Sequence, residues 1–301
     1  MTLLWIPLTL AAAFLQNVRS ALQKHLKGEL GTIGATFVRF GYGFPFALLY
    51  LAGLVLIFDF DLPAFNREFL AFAVVGGLAQ ILATALLVTL FDARNFAVGT
   101  TYSKTETVQA AVFALVFLGE TISITATIGI LVSLVGVIAI SAARAPSGLL
   151  GIARSRLARP ALIGLASGAF FGVAAVSYRG ASLSLGDDGF LVQASFTLTV
   201  VLVFQTLVMA TFMLMRDRQE IVRVIKAWRV AGLVGLSGAL ASIGWFTALT
   251  IQNAALVRAL GQIELVFTIA SSVLIFREKI LRLELTGIVL VVAGIIILLL
   301  R

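Results

Sequence analysis

Two glutamates, Glu106 and Glu264, stand inside long apolar stretches of this 301-residue chain, and its chemistry is best argued from them. Each lies about ten residues into its run, which at 1.5 Å per residue places it roughly 15 Å along a helix, near the middle of a bilayer. A charged side chain at that depth costs about 2.5 kcal/mol or more unless it is paired, solvated or protonated. Two roles follow: a site for a substrate ammonium group or a proton, or a protonated carboxyl bonded to neighbouring helices. Helical spacing supplies companions. Tyr102, Glu106, Gln109 and Phe113 fall on one stripe at intervals of 4, 3 and 4; Gly261, Glu264, Thr268 and Ser271 fall on another. An aromatic ring, an amide and a carboxylate on one face suit an amphipathic small molecule, set against the plainer reading of a packing stripe. Lys104 falls roughly 200° around the helix from Glu106, so the two do not make a same-face pair.

Five basic residues also lie within apolar runs: Arg19, Arg39, Lys104, Arg179 and Arg258. Arg19, Arg179 and Arg258 are near the ends of their runs, where such side chains snorkel to the interface. Arg39 is deeper and either binds a substrate carboxylate or makes a structural ion pair. Gln80, Tyr178 and Trp245 lie mid-run and are candidate cavity walls. The candidate substrate site is therefore Glu106, Tyr102, Gln109, Gln80, Tyr178, Trp245, Glu264 and Arg39.

The elements that position these residues repeat. Adding 158 to the numbers of Asn95, Ala97, Glu106, Glu120, Gly129 and Gly136 gives Asn253, Ala255, Glu264, Glu278, Gly287 and Gly294, the same residue each time. Gly77 and Gly235, and Ala83 and Ala241, stand on the same offset. A duplicated apolar chain with a carboxylate within each copy has the organisation of a transporter built from internal repeats. Glu120 and Glu278, each at the start of the next run, read as helix-capping or interfacial residues.

The chain is 60% hydrophobic and 12% charged, with a mean hydropathy of +1.09. Soluble domains are about 45–50% apolar and about 25% charged, so this is an integral membrane protein. The net charge of +8 comes from residues between apolar runs, which points to loops at a membrane face and not to nucleic acid. There is no cysteine and His25 is the single histidine, which leaves no thiolate metal site and argues against a metal centre; no cofactor is expected. The first residues lack the basic region of a signal peptide, and Leu3 onward reads as the first span.

Apolar runs at 3–25, 32–58, 69–91, 96–118, 122–143, 161–184, 189–215, 230–251, 254–276 and 283–300 predict an all-α membrane fold of ten helices. Residues 1–143 form a first five-helix repeat, 144–160 a linker with Pro146, Gly148 and Gly151, and 161–301 a second five-helix repeat. Five being odd, the second copy enters the membrane in the opposite direction, giving inverted repeats. Pro45 is expected to kink the second helix. Fifteen loop basic residues, from Lys24 to Arg282, fall on one side, and only Arg67 and Arg301 on the other. The basic side is expected to be cytoplasmic and both termini periplasmic.

Val116-Phe117-Leu118-Gly119-Glu120-Thr121-Ile122, followed by Gly129 and Gly136, resembles the end-of-repeat signature of the drug/metabolite transporter superfamily, EamA type. Ile275-Phe276-Arg277-Glu278-Lys279-Ile280, followed by Gly287 and Gly294, resembles its second copy, and Val38-Arg39-Phe40 is similar to the arginine-bearing second helix. By its size, its ten runs and Ser103-Lys104-Thr105-Glu106, the chain further resembles the YddG-type amino-acid exporters. It departs from the pattern in having Ala194-Ser195 where a second arginine is expected, and Thr107 and Leu265 near positions where many relatives have proline. The resemblance implies a secondary transporter that exports aromatic and other amino acids, or similar metabolites, across a bacterial inner membrane by alternating access. The implied partners are a small-molecule substrate and the lipid bilayer, with a monomer as the working expectation. A proton-coupled exporter of lipophilic cations is the alternative, with Glu106 or Glu264 exchanging drug for proton. The sequence has no G-x-x-x-x-G-K-[ST] loop for ATP hydrolysis, and an intramembrane enzyme is disfavoured because H-E-x-x-H, G-x-S-x-G and cysteine are all missing.

Overall fold

A computed structural model of the chain describes residues 3–90, 102–143, 159–186, 189–276 and 280–300. These form helices joined by short connections, with no strand among the described residues. In chain order they are α1 (Trp5–Leu26), α2 (Thr32–Gly41), α3 (Phe44–Phe58), α4 (Arg67–Leu90), α5 (Glu106–Leu118), α6 (Ile124–Ala143), α7 (Arg159–Ser184), α8 (Phe190–Arg216), α9 (Arg218–Lys226), α10 (Trp228–Ile251), α11 (Ala254–Leu260), a 3-10 turn (Gly261–Ile263), α12 (Glu264–Phe276) and α13 (Arg282–Leu299). Glu278, Asn95, Ala97 and most of the 144–160 linker lie outside the described residues.

Among the described residues, seven stretches are long and apolar enough to cross a membrane, including 32–58, which α2 and α3 form together. Three expected crossings are less regular, each for a physical reason. α1 carries Arg19, Gln23 and Lys24, so its composition is too polar. α5 is a 13-residue helix beginning at Glu106. The expected helix over 254–276 is broken by the 3-10 turn, which tightens the backbone just before Glu264. Pro45 sits in the first turn of α3, where a missing N–H is harmless, and the break falls just before it at Tyr42-Gly43.

The strongest packing joins helices of opposite halves, α1 to α10, α4 to α7 and α6 to α13. Each of these pairs is antiparallel. A Cβ on Gly129 would lie 2.6 Å from the Gly294 carbonyl oxygen, and one on Gly136 2.6 Å from that of Gly287. One number rises as the other falls, and duplicated glycines meet each other's partners. Between them Ser133 Oγ donates to the Val291 carbonyl at 3.4 Å, across the same 158-residue offset. Backbones approach this closely only where no Cβ intervenes. In the α4–α7 pair, Gly76 meets Tyr178 while Ser167 Oγ donates to the Ala83 carbonyl at 3.0 Å. In the α1–α10 pair, Gly244 meets Ala12 while Gly238 meets Arg19.

Large apolar side chains cover the outside of the bundle: Leu56 is 78% exposed, Ile57 73% and Val116 66%. A surface this apolar suits lipid rather than water. The 216–229 connection, read from sequence only as charged loop, contains α9. Asp217 caps it by accepting from the Gln219 and Glu220 N–H groups at 3.0 and 3.2 Å. Glu220 is buried, accepts from the Gly31 N–H at 2.6 Å and pairs with Arg223, whose guanidinium it holds above the usual arginine range.

Candidate functional site

The α1–α10 and α4–α7 pairs border a cavity of about 860 Å³, with α2, the start of α5, α11 and α12 completing its wall. It runs from Leu249, near the C-terminal end of α10, to Lys24, near the C-terminal end of α1. Among its walls are Arg19, Arg39, Gln80, Lys104, Glu106, Phe171, Tyr178, Trp245, Arg258 and Glu264.

Two ion pairs cross it, each joining a carboxylate of one half to a cation of the other. Arg258 Nη2 lies 3.1 Å from Glu106 Oε1, and Lys104 Nζ lies 3.4 Å from Glu264 Oε2. Gln16 Nε2 donates to Glu264 at 2.8 Å. The carboxylates are duplicates on the 158 offset, but the cations are not: Lys104 corresponds to Gln262, and Arg258 to Thr100. Gln262 Nε2 instead reaches the carbonyl of its own counterpart, Lys104, at 3.5 Å. Pairing offsets part of the cost of a charge at this depth.

Trp245 forms one wall. Its ring lies 5.1 Å from the Arg258 guanidinium carbon, a cation–π arrangement, and Phe171 faces the same guanidinium at 5.8 Å. Gly261 makes this possible, since a Cβ there would lie 2.5 Å from the Trp245 ring. Tyr178 forms another wall. Its hydroxyl lies 3.0 Å from the Gly76 carbonyl oxygen and 2.9 Å from Gln80 Oε1, and its ring stacks on Phe246 at 4.4 Å. Gln205 Nε2 donates into the same knot, to the Gly77 carbonyl at 3.0 Å and to Gln80 Oε1 at 3.0 Å.

Six of the eight residues expected at the site line this cavity: Glu106, Glu264, Gln80, Tyr178, Trp245 and Arg39. Tyr102 and Gln109 do not line it. The helix does not run evenly through the Glu106 stripe, because Lys104 and Thr105 form a turn between Ser103 and α5. That turn sends Tyr102 to pack beside Ala142 and Ala161. Gln109 Nε2 turns back to donate to Thr105 Oγ1 at 2.8 Å. The same turn brings Lys104 to the cavity wall with Glu106, which regular spacing had argued against. Arg19 and Arg258, read as snorkelling residues, line the cavity as well. A basic residue within an apolar run was the only sequence signal for them. Gln16 and Gln205 gave no comparable signal.

The Leu249 end of the cavity adjoins a polar network. Arg179 Nε donates to Glu120 Oε1 at 2.5 Å, and its Nη1 donates to the carbonyls of Leu249 at 2.7 Å and Gln252 at 2.9 Å. Asn253 Nδ2 donates to Glu120 Oε2 at 2.9 Å. Gly119 sets this up: in the left-handed region, φ 65°, it ends α5, and the Glu120 N–H returns to the Ala114 carbonyl at 3.1 Å. Glu120 thus joins the two halves, which goes beyond the capping role expected of it, and Arg179 does not snorkel. Glu278, the duplicate of Glu120, lies outside the described residues.

Twenty-seven chains of solved structures are similar in fold. One, titled "Crystal structure of protein", aligns over 100% of this chain and 98% of its own at a TM-score of 0.70 with 16% identity, a likeness of fold alone. No curated protein matches in sequence. The profile of the EamA-like transporter family matches twice, over residues 3–142 and 159–300, one match to each copy of the repeat. With both halves matched, and a charged cavity between them, this multi-pass membrane protein belongs to the EamA-like transporter family.

Proposed function

We propose that the protein is a ten-crossing secondary transporter that exports small carboxylate-bearing metabolites, amino acids foremost, across a bacterial inner membrane by alternating access. The observation that carries this reading is a cavity of about 860 Å³, to which both halves contribute cations and carboxylates, with aromatic walls from Tyr178, Phe171 and Trp245. Its volume lies within the range of about 300–1,000 Å³ usual for small-molecule sites. Inversion of the halves is supported by the packing. The 158-residue offset carries the α1–α10 pair onto α7–α4 and the α6–α13 pair onto itself, the pattern of a two-fold axis in the membrane plane. The 15-to-2 split of loop basic residues supports a cytoplasmic position for the Lys24 end and periplasmic termini. In this arrangement the cavity faces the cytoplasm and the Glu120–Arg179–Asn253 network closes the periplasmic side.

Flux of radiolabelled amino acids in proteoliposomes, with and without a pH gradient, tests the proposal. Saturable amino-acid movement is expected. Movement of ethidium-like cations with no amino-acid flux would replace it with the drug-export reading.

A further inference from the structure

Resting on the reading of the central cavity as the substrate site, we propose that Arg19 and Arg39 form a subsite for a substrate carboxylate, and that the cavity selects net-anionic organic acids over amines. Five cationic side chains line the cavity, Lys24 exposed at one end and Arg19, Arg39, Lys104 and Arg258 further in. Lys104 and Arg258 are each matched by a glutamate from the other half. Among the described residues, Arg19 and Arg39 make no ion pair, the Glu264 carboxylate near Arg19 being taken by Lys104 and Gln16. Arg19 is only 4% exposed, and its Nε and Nη1 are buried without any hydrogen-bond partner. Arg39 is 6% exposed and donates from Nη1 to a neutral oxygen, Thr84 Oγ1, at 2.9 Å. Both side chains line the cavity. Their helices meet beside one small residue, since a Cβ on Gly238 would lie 3.2 Å from Arg19 Cδ and 3.9 Å from the backbone carbonyl oxygen of Arg39.

A buried guanidinium with open donors is costly to keep, so a fold that served only stability would satisfy it or replace it. The guanidinium fork matches a carboxylate in geometry as well as charge. An anion entering between Arg19 and Arg39 supplies the missing acceptors without displacing either existing ion pair. An amine finds both glutamates already occupied. The Trp245 and Phe171 rings are placed to take the apolar part of the ligand.

The test is a binding series on purified protein in detergent, using compounds that share a phenyl ring and differ in charge. These are phenethylamine, phenylalanine, 3-phenylpropionate and phenylsuccinate, with phenyl phosphate as a separate arm. Binding is read by calorimetry and by ligand-dependent thermal stabilisation. Affinity is expected to rise from amine to zwitterion to monoanion to dianion. Arg19→Gln is expected to weaken the anions roughly ten- to a hundredfold and leave the amine unchanged. Arg19→Lys, which keeps the charge and loses the fork, is expected to fall between. The unliganded Arg19→Gln protein should unfold at the same temperature as the parent or higher, because an unsatisfied charge has been removed. A structural arginine would show the opposite, and a lower unfolding temperature with an unaltered binding order would overturn the proposal. Equal or tighter binding of the amine would overturn it, as would binding of phenyl phosphate with no carboxylate, or no binding by any member. Because binding is read without flux, failed transport in liposomes counts against the functional reading alone, and a flat charge series against the subsite alone.

Discussion

If the Glu120–Arg179–Asn253 network holds one end of the cavity shut, weakening it should open that end. Glu120→Ala removes a charge-assisted bond of 2.5 Å to Arg179 and the 2.9 Å bond from Asn253. Both ionic partners are largely buried, 13% and 19% exposed, so little of the interaction is lost to solvent screening. A bond between charged groups contributes about 1.5–3 kcal/mol and a neutral one about 1. Arg179 retains its backbone carbonyl acceptors, so the lower part of that range applies, about 2–3 kcal/mol. If these bonds break on opening, the open population rises roughly 30- to 160-fold. The chain has no cysteine, so a single introduced thiol reports without further engineering. Leu249→Cys places one at the buried end of the cavity, beneath the Arg179 contact. Its labelling by a membrane-impermeant maleimide, added from the side of the chain termini, should be slow in the parent and at least tenfold faster with Glu120→Ala. Glu120→Gln keeps the shape and part of the bonding and should give a smaller rise. Val137→Cys, buried in α6 away from the network, controls for general loosening. Unchanged labelling at position 249 in folded Glu120→Ala protein, or an equal rise at position 137, would refute the closing role.

Arg258→Gln and Glu106→Gln should each cut transport and stability, the stability loss being about 1–3 kcal/mol because a largely buried charge is left unpaired. The double variant should lose less stability than the sum of the two, as read by a double-mutant cycle of unfolding in detergent. Gly136→Leu should destabilise by about 1–3 kcal/mol or prevent folding, because its Cβ would lie 2.6 Å from the Gly287 carbonyl oxygen. Gly53→Ala, with nothing within 4 Å of the added Cβ, should be neutral or stabilise α3 by up to about 1 kcal/mol in the same thermal assay. An alkaline phosphatase fusion after Arg301 should be active and a green fluorescent fusion dark; the reverse would overturn the orientation but not the fold.

Composition alone determined that this chain lives in a membrane, because no polar surface could be drawn from a sequence 60% hydrophobic. Its duplication was equally plain, since an offset of 158 matches glutamates and glycines that apolar composition by itself has no reason to place. Gly129, Gly136, Gly287 and Gly294 were legible as repeat markers, but that each sits against the backbone of its counterpart's partner is a fact of two helices running antiparallel. Glu106 and Glu264 were legible as buried carboxylates because a charge in an apolar run stands out. Their partners were not, because Arg258 and Lys104 come from opposite halves, 152 and 160 residues away, and no local period encodes such a meeting. Periodicity failed at Tyr102 for a local reason: it assumes an unbroken helix, and the Lys104-Thr105 turn rotates what precedes Glu106 away from the face that follows, while Gln109, on the same helix as Glu106, spends its amide on Thr105. Arg19 shows the remaining limit. Its position near a helix end predicted an escape to the interface, but α10 packs against α1 there, and that tertiary contact holds the guanidinium inside the cavity, where its buried donors have no partner.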